Sequence, residues 1–305
     1  MAREGVSRLR PPMSPSSSDI LLPNGRTIRI VEGGDPAGRP VFVLHPCPGS
    51  KLLYGVHEAD AARRGIRLIG HDRAGYGGST ANPGRAVADE ASDVRAIADS
   101  LGIARFAVWG HSCGGSLALA CAAALPDRVV AVASIAAVAP YPAEGLDWFD
   151  GVDEANVVDF QMFTNDPLAW RLKLAQDVRE MRGETVGQMY ASLFGFLSEA
   201  DQAVLTPELL AFAHAQLQDG LSPGPEGFID DHLSDIRPWG FEFDSIRVPV
   251  QLWHGTDDRL VPLAHAKWLA AHLPRAEIHL EPGEGHISLF ARRIPEIQGW
   301  LRSHF

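Results

Sequence analysis

A serine with a glycine two residues away on either side, Gly110-x-Ser112-x-Gly114, follows the apolar run FAVWG at 106–110 and opens the Ala/Leu-rich stretch LALACAAAL at 117–125. A hydroxyl is a weak nucleophile at neutral pH and needs a neighbouring base, which in turn needs a carboxylate to fix its tautomer. What makes Ser112 a candidate is its place where a strand hands over to a helix. The central residue of so sharp a turn sits in a cramped backbone, so the residues two away must lack bulk, and Gly110 and Gly114 meet that demand. Cys113 then falls at the helix start, where its N–H and the positive end of the helix dipole can stabilise an anion. The thiol of Cys113 is a rival nucleophile, but such a turn presents its central residue. Cys113 and Cys121 read instead as small packed thiols.

Acid and base are expected downstream, in the order serine, acid, histidine. VPVQLWHGTDDRLVP at 248–262 offers a strand, a turn at Gly255, then Asp257 and Asp258 ahead of a helix. Either aspartate could equally serve as a helix cap. EIHLEPGEGHISLF at 277–290 offers His286 on a loop after the last strand, with Gly283 and Gly285 letting that loop fold back to the sheet end.

Holding three distant side chains together requires a rigid frame, and the chain alternates short apolar runs with amphipathic ones, as a mostly parallel sheet with helical crossovers does. LLPNGRTIRIVEGG at 21–34 reads as a hairpin about Asn24-Gly25. Continuous apolarity at 41–45, 66–72, 106–110, 129–138, 250–255 and 277–282 marks strands covered on both faces. Helical spacing runs through 87–101, 263–273 and 294–301. The alternation fails over 141–240, where the pattern is helical, acidic and aromatic. The reading is therefore an α/β core at 19–140 and 241–305, a helical cap or lid at 141–240, and a disordered leader at 1–18; a helical domain packed elsewhere is the alternative for 141–240.

With these motifs in place the chain resembles the α/β-hydrolase fold family, from residue 20 to the end. The resemblance implies an eight-stranded, mostly parallel sheet flanked by helices with an inserted cap. The family's G-x-x-D-x-x-V-P segment maps onto Gly255, Asp258, Val261 and Pro262, which selects Asp258 over Asp257; its G-x-G-H loop maps onto 283–286. Some members carry the acid after the sixth strand, which keeps Glu144, Asp147 and Asp150 as rivals. The family's H-G-x-P-G loop corresponds to HPCPG at 45–49, so the N–H groups of Cys47 and Cys113 are the implied oxyanion donors. Pro46 replaces the family's glycine without removing the donor of Cys47. HDRAGYGGS at 71–79 resembles the family's D-R-x-G-x-G-x-S turn, with Asp72 and Arg73 read as structural. His111 either lines the pocket or supports the sheet end, and Trp148 and Phe149 are expected over the active site.

Composition bounds the partners. With 27 Lys+Arg against 38 Asp+Glu the net charge is −11, and no basic cluster suits nucleic acid or an anionic membrane. Three cysteines without CxxC spacing argue against a disulfide framework or structural zinc. No metal and no cofactor is expected. The N-terminus lacks the apolar core of a secretory signal, and a cytoplasmic protein is expected. The partner is a small-molecule substrate, with a homodimer left open. The reaction expected is hydrolysis of a small carboxylic ester through an acyl-enzyme; the same triad would serve an iminopeptidase-like amidase or a carbon–carbon bond hydrolase, and a non-catalytic small-molecule receptor is the rival of another class.

Overall fold

Apolar runs bounded by Gly- and Pro-rich turns become strands here, and the amphipathic runs between them become helices. In the computed structural model, which describes residues 17–152, 154–273 and 275–305, eight strands make one sheet: β1 (Ser17–Leu21), β2 (Thr27–Gly34), β3 (Arg39–Leu44), β4 (Ile66–His71), β5 (Phe106–His111), β6 (Val129–Ile135), β7 (Val250–Gly255) and β8 (Ala276–Glu281). Their order is β1-β2-β4-β3-β5-β6-β7-β8. The β1–β2 and β2–β4 pairs are antiparallel and all others parallel. The expected hairpin turns on Gly25, whose φ of 83° suits glycine and whose N–H donates to Leu22 O at 3.0 Å. Strand β1 takes in Ser17 and Ser18, which the sequence reading gave to the leader; residues 1–16 of that leader lie outside the described residues.

The unbroken apolarity of the central strands follows from two covered faces. Phe42, Leu44, Val108, Val132 and Leu252 point to one side, against α2 (Glu90–Ser100) and α3 (Cys113–Ala124), while Val41, Val43, Ala107, Trp109 and Trp253 point to the other, which α1 (Gly55–Arg63) covers. Each of the Val, Leu and Phe side chains among these, fully buried, contributes about 1.5–3 kcal/mol, so the sheet is a stiff platform for whatever its ends carry.

Among the described residues, 141–240 holds helices and no strand: α4 (Glu154–Asn165), α5 (Pro167–Met181), α6 (Val186–Phe194), α7 (Glu199–Val204), α8 (Pro207–Gly220) and α9 (Glu226–Asp235). Phe163, Trp170, Leu174 and Val178 build a small core with Leu221, Phe228 and Ile229, and Tyr76 joins it from the loop after β4. Further ties run to loops at the carboxyl ends of strands. Lys51 Nζ meets Asp219 at 2.6 Å, Gly77 N–H donates to Gly220 O at 2.9 Å, and Arg73 meets Asp231 at 2.6 Å. A Cβ on Gly75 or Gly227 would strike the other's backbone, so both glycines are needed for the approach. The buried Asp231 carboxylate also takes Arg85 and the Tyr76 hydroxyl. Burial alone would push that carboxyl up, but Arg73 and Arg85 outweigh it and hold it well below the usual range.

The chain closes with α10 (Leu263–His272) and α11 (His286–Arg302). Helix α11 begins well before the expected 294, at His286 itself, and runs through Pro295. Proline removes one N–H from the ladder. The buried stripe Leu289, Ile294, Ile297 and Leu301, all 0% exposed, offsets that loss against the sheet. No helix among the described residues is long and apolar enough to cross a membrane.

Candidate active site

Ser112 links β5 to α3 with φ 58° and ψ −129°. A non-glycine residue held there costs about 1–3 kcal/mol, and the surrounding backbone shows what enforces it. A Cβ on Gly110 would collide with the carbonyl of Gly114, and one on Gly114 with the carbonyls of Leu44 and His45. The segment before the turn, the helix after it and the end of β3 therefore touch through bare backbone. Ser112 N–H donates to Ile135 O at 2.8 Å, tying the turn to β6.

His286 and Asp258 meet as the family resemblance implied. His286 Nδ1 donates to Asp258 Oδ2 at 2.7 Å, and Asp258 Oδ1 accepts from the N–H groups of Leu260 at 2.9 Å and Val261 at 2.8 Å. Asp257 is exposed and, among the described residues, its carboxylate accepts from Thr256 Oγ1 alone, at 2.9 Å; Glu144, Asp147 and Asp150 are exposed as well. Burial would raise the Asp258 carboxyl, yet His286, His254 and the Val261 N–H hold it below its ordinary value. Burial would likewise lower His286, and Asp258 more than reverses this, so the imidazole lies above its ordinary 6.5. Because Nδ1 carries the proton shared with Asp258, Nε2 of the neutral ring is left as the basic nitrogen. His254 supports the acid loop, donating from Nε2 to Val261 O at 2.8 Å.

His111, the residue before Ser112, brings β5 against His286. Its Nε2 donates to His286 O at 3.0 Å and its ring centroid lies 4.6 Å from that of His286. Burial, with His286 nearby, pushes His111 down to about 3, so it stays neutral. Among the described residues no hydrogen bond yet joins Ser112 Oγ to His286 Nε2; in free enzymes this bond is often long and tightens with substrate.

The 45–49 loop lies against the same turn. Arg73 anchors it, with Nη1 donating to His45 O, Nη2 to Pro46 O at 3.1 Å, and its own N–H to His45 Nε2 at 3.2 Å. Cys47 Sγ, Cys113 Sγ and an Asp231 oxygen lie within 4.8 Å of one another, so the two cysteines implied as oxyanion donors are neighbours. The charge at that cluster is already supplied by Arg73, whose Nη2 is 2.6 Å from Asp231 and 3.4 Å from Cys113 Sγ. Burial pushes the Cys113 thiol well up, which leaves it protonated and a poor nucleophile.

Trp148 and Phe149 are not brought to the serine by any contact among the described residues. Trp148 Nε1 donates to Ala139 O at 3.0 Å, and both rings pack on Tyr141 and Phe160. The ring facing that of His286 is His111, against which Phe290 packs, and Tyr54, His57, Trp109, Phe212 and Phe290 line a small cavity beside His111 whose lining includes neither Ser112 nor His286. Sequence spacing gave no sign of this wall, because its members come from α1, β5, α8 and α11. Asp201 was missed as well, although it accepts from the N–H of His286.

Comparison with known proteins places this geometry in context. A family model described as alpha/beta hydrolase fold matches residues 39–292. The chain is 29% identical over 194 residues to a pimeloyl-[acyl-carrier protein] methyl ester esterase from Nitrosomonas europaea, covering 62% of this chain and 67% of that one. It is 27% identical over 266 residues to a non-heme haloperoxidase from Rhodococcus erythropolis, covering 82% and 86%. A thermophilic esterase from Thermogutta terrifontis superposes with a TM-score of 0.67 at 20% identity, over 95% of this chain and 99% of the other.

Proposed function

The chain belongs to the α/β-hydrolase fold family, and from that premise we propose that it is a serine hydrolase cleaving small carboxylic esters through an acyl-enzyme. The observation that carries this reading is the buried Asp258–His286 pair beside a serine held at positive φ. Ser112 Oγ attacks the ester carbonyl as His286 Nε2 takes its proton, and Asp258 stabilises the imidazolium formed. The N–H groups of Cys47 and Cys113 receive the developing oxyanion, that of Cys113 being free at the first position of α3. His286 then hands the proton to the departing alkoxide, and water attacks the acyl-enzyme by the same route in reverse. The scheme needs no metal or cofactor, and the helices of 141–240 serve as the cap over the site.

The base must be neutral in the free enzyme, and His286 is held above 6.5 by Asp258. Activity is therefore lost as pH falls through that raised value: the acid limb of kcat/KM should lie above pH 6.5, read from a profile over pH 5 to 9. An acid limb near 4 would point to a carboxylate as the base.

The packed rings of Phe290, Tyr54 and Phe212 next to His111 leave an acyl chain little room on that side, which favours short acyl groups. p-Nitrophenyl esters from acetate to octanoate, with a matching anilide and a diketone, test this. Acetate is expected to turn over fastest, octanoate roughly tenfold or more slower, and the amide and diketone slowest. Faster turnover of the anilide or the diketone than of any ester would overturn the ester reading.

A further inference from the structure

The imidazole that takes up a proton in the proposed reaction sits where a helix would oppose it. His286 is the first residue of the 17-residue α11, and the free N–H groups of a first turn aim partial positive charge at whatever lies there. In this chain those groups are occupied by one carboxylate from the helical segment. Asp201 Oδ1 accepts from the N–H of Ile287 at 2.7 Å and of Ser288 at 2.8 Å, and Oδ2 from the N–H of His286 at 3.2 Å.

Asp201 is 0% exposed and tightly held. Ser198 Oγ donates to its Oδ2 at 2.9 Å, and its own N–H donates back to Ser198 Oγ at 3.2 Å. A Cβ on Gly285 would strike both Ser198 Oγ and the Asp201 carboxylate, so this approach requires glycine just before the base. The same turn reaches the acid loop, since Arg259, next to Asp258, donates from Nη1 to Leu197 O at 3.3 Å. One short stretch of the cap, 197–201, thus touches both the segment carrying the acid and the helix carrying the base.

We propose that Asp201 is a positioning residue for the base: it caps the helix that starts at His286 with negative charge, fixing the ring and favouring the imidazolium formed when Ser112 gives up its proton. The proposal rests on the Ser112–His286–Asp258 reading above. The groups facing the ring are few. Asp258 comes from the loop after β7, Asp201 from α7, His111 from β5, and His254 on β7 stands 3.7 Å from Asp258. His111 and His254 are kept neutral, chiefly by burial, and Glu284 in the preceding loop is paired with Arg292 at 3.1 Å. Asp258 and Asp201 are therefore the negative charges at the ring, and both push His286 upward.

Asp201→Asn removes the charge and keeps the shape. In a variant that still melts cooperatively and still takes a fluorophosphonate on Ser112, kcat should fall about tenfold with KM nearly unchanged, and the acid limb should move to lower pH by about 0.5 to 1. Asp201→Glu, which keeps the charge, should leave the acid limb at the wild-type pH. An unmoved acid limb in a folded Asn variant, or equal profiles for Asn and Glu, would overturn the proposal. Should the Asn variant fail to fold, Ser198→Ala takes its place, since it frees one bond that orients the carboxylate. A smaller move in the same direction is then expected, and a wild-type acid limb counts against the proposal. Failure of the underlying reading looks different, because Ser112 of the wild type would not be labelled at all.

Discussion

Ser112→Ala should lower ester turnover by about 10⁴-fold or more, leaving only what the oxyanion donors and binding supply. The protein should fold as before. The hydroxyl has no hydrogen-bond partner among the described residues, and the positive φ at 112 is set by backbone crowding at Gly110 and Gly114, which alanine does not alter. A stability change within about 0.5 kcal/mol is expected. Steady-state kinetics with a short-chain ester and a thermal melt of the same preparation read both quantities. A large loss of activity with an unchanged melt assigns the hydroxyl to chemistry; retained activity removes the serine from the mechanism.

Asp258→Asn should be nearly as damaging, about 10⁴-fold in kcat, and the geometry gives the reason. Oδ1 must keep accepting from Leu260 and Val261, which turns the new amide NH₂ towards His286 Nδ1. An amide donor there forces the ring into the opposite tautomer, with a hydrogen on Nε2 facing Ser112, so the base nitrogen is blocked. Asp257→Asn, at an exposed carboxylate bonded to Thr256, should change kcat/KM by less than about threefold, as surface substitutions away from a site do. Comparison of the two variants separates neighbours in sequence that the motif alone could not distinguish by chemistry. The reverse outcome, or a loss confined to Glu144→Gln, would move the acid elsewhere.

The central strands were legible because burial on both faces, which β5 and β6 keep at every position, leaves a nearly unbroken apolar run. The turn at Ser112 was legible because the glycines it requires are a steric necessity of backbone contact. His286 was found but misplaced. The expected helix began at 294 with His286 on the loop before it, whereas the apolar face of α11 carries the helix from residue 286 through Pro295. Asp201 left only a local trace, Ser198-x-x-Asp201, which reads as an ordinary helix start. Its second role, capping α11 across 85 residues of chain, exists only in the folded protein. The aromatic cluster next to His111 is likewise assembled from several elements, so Phe290 and Phe212 left no mark in sequence spacing, whereas Trp148 and Phe149 are adjacent in the chain and easily noticed.

The central claim is that one serine is activated by a histidine held by a buried carboxylate. It is tested most directly by treating the protein with a fluorophosphonate and locating the adduct by peptide mass spectrometry. One adduct per chain, on Ser112, and none in His286→Ala is the expected result; no adduct, or one on a different side chain, would contradict it.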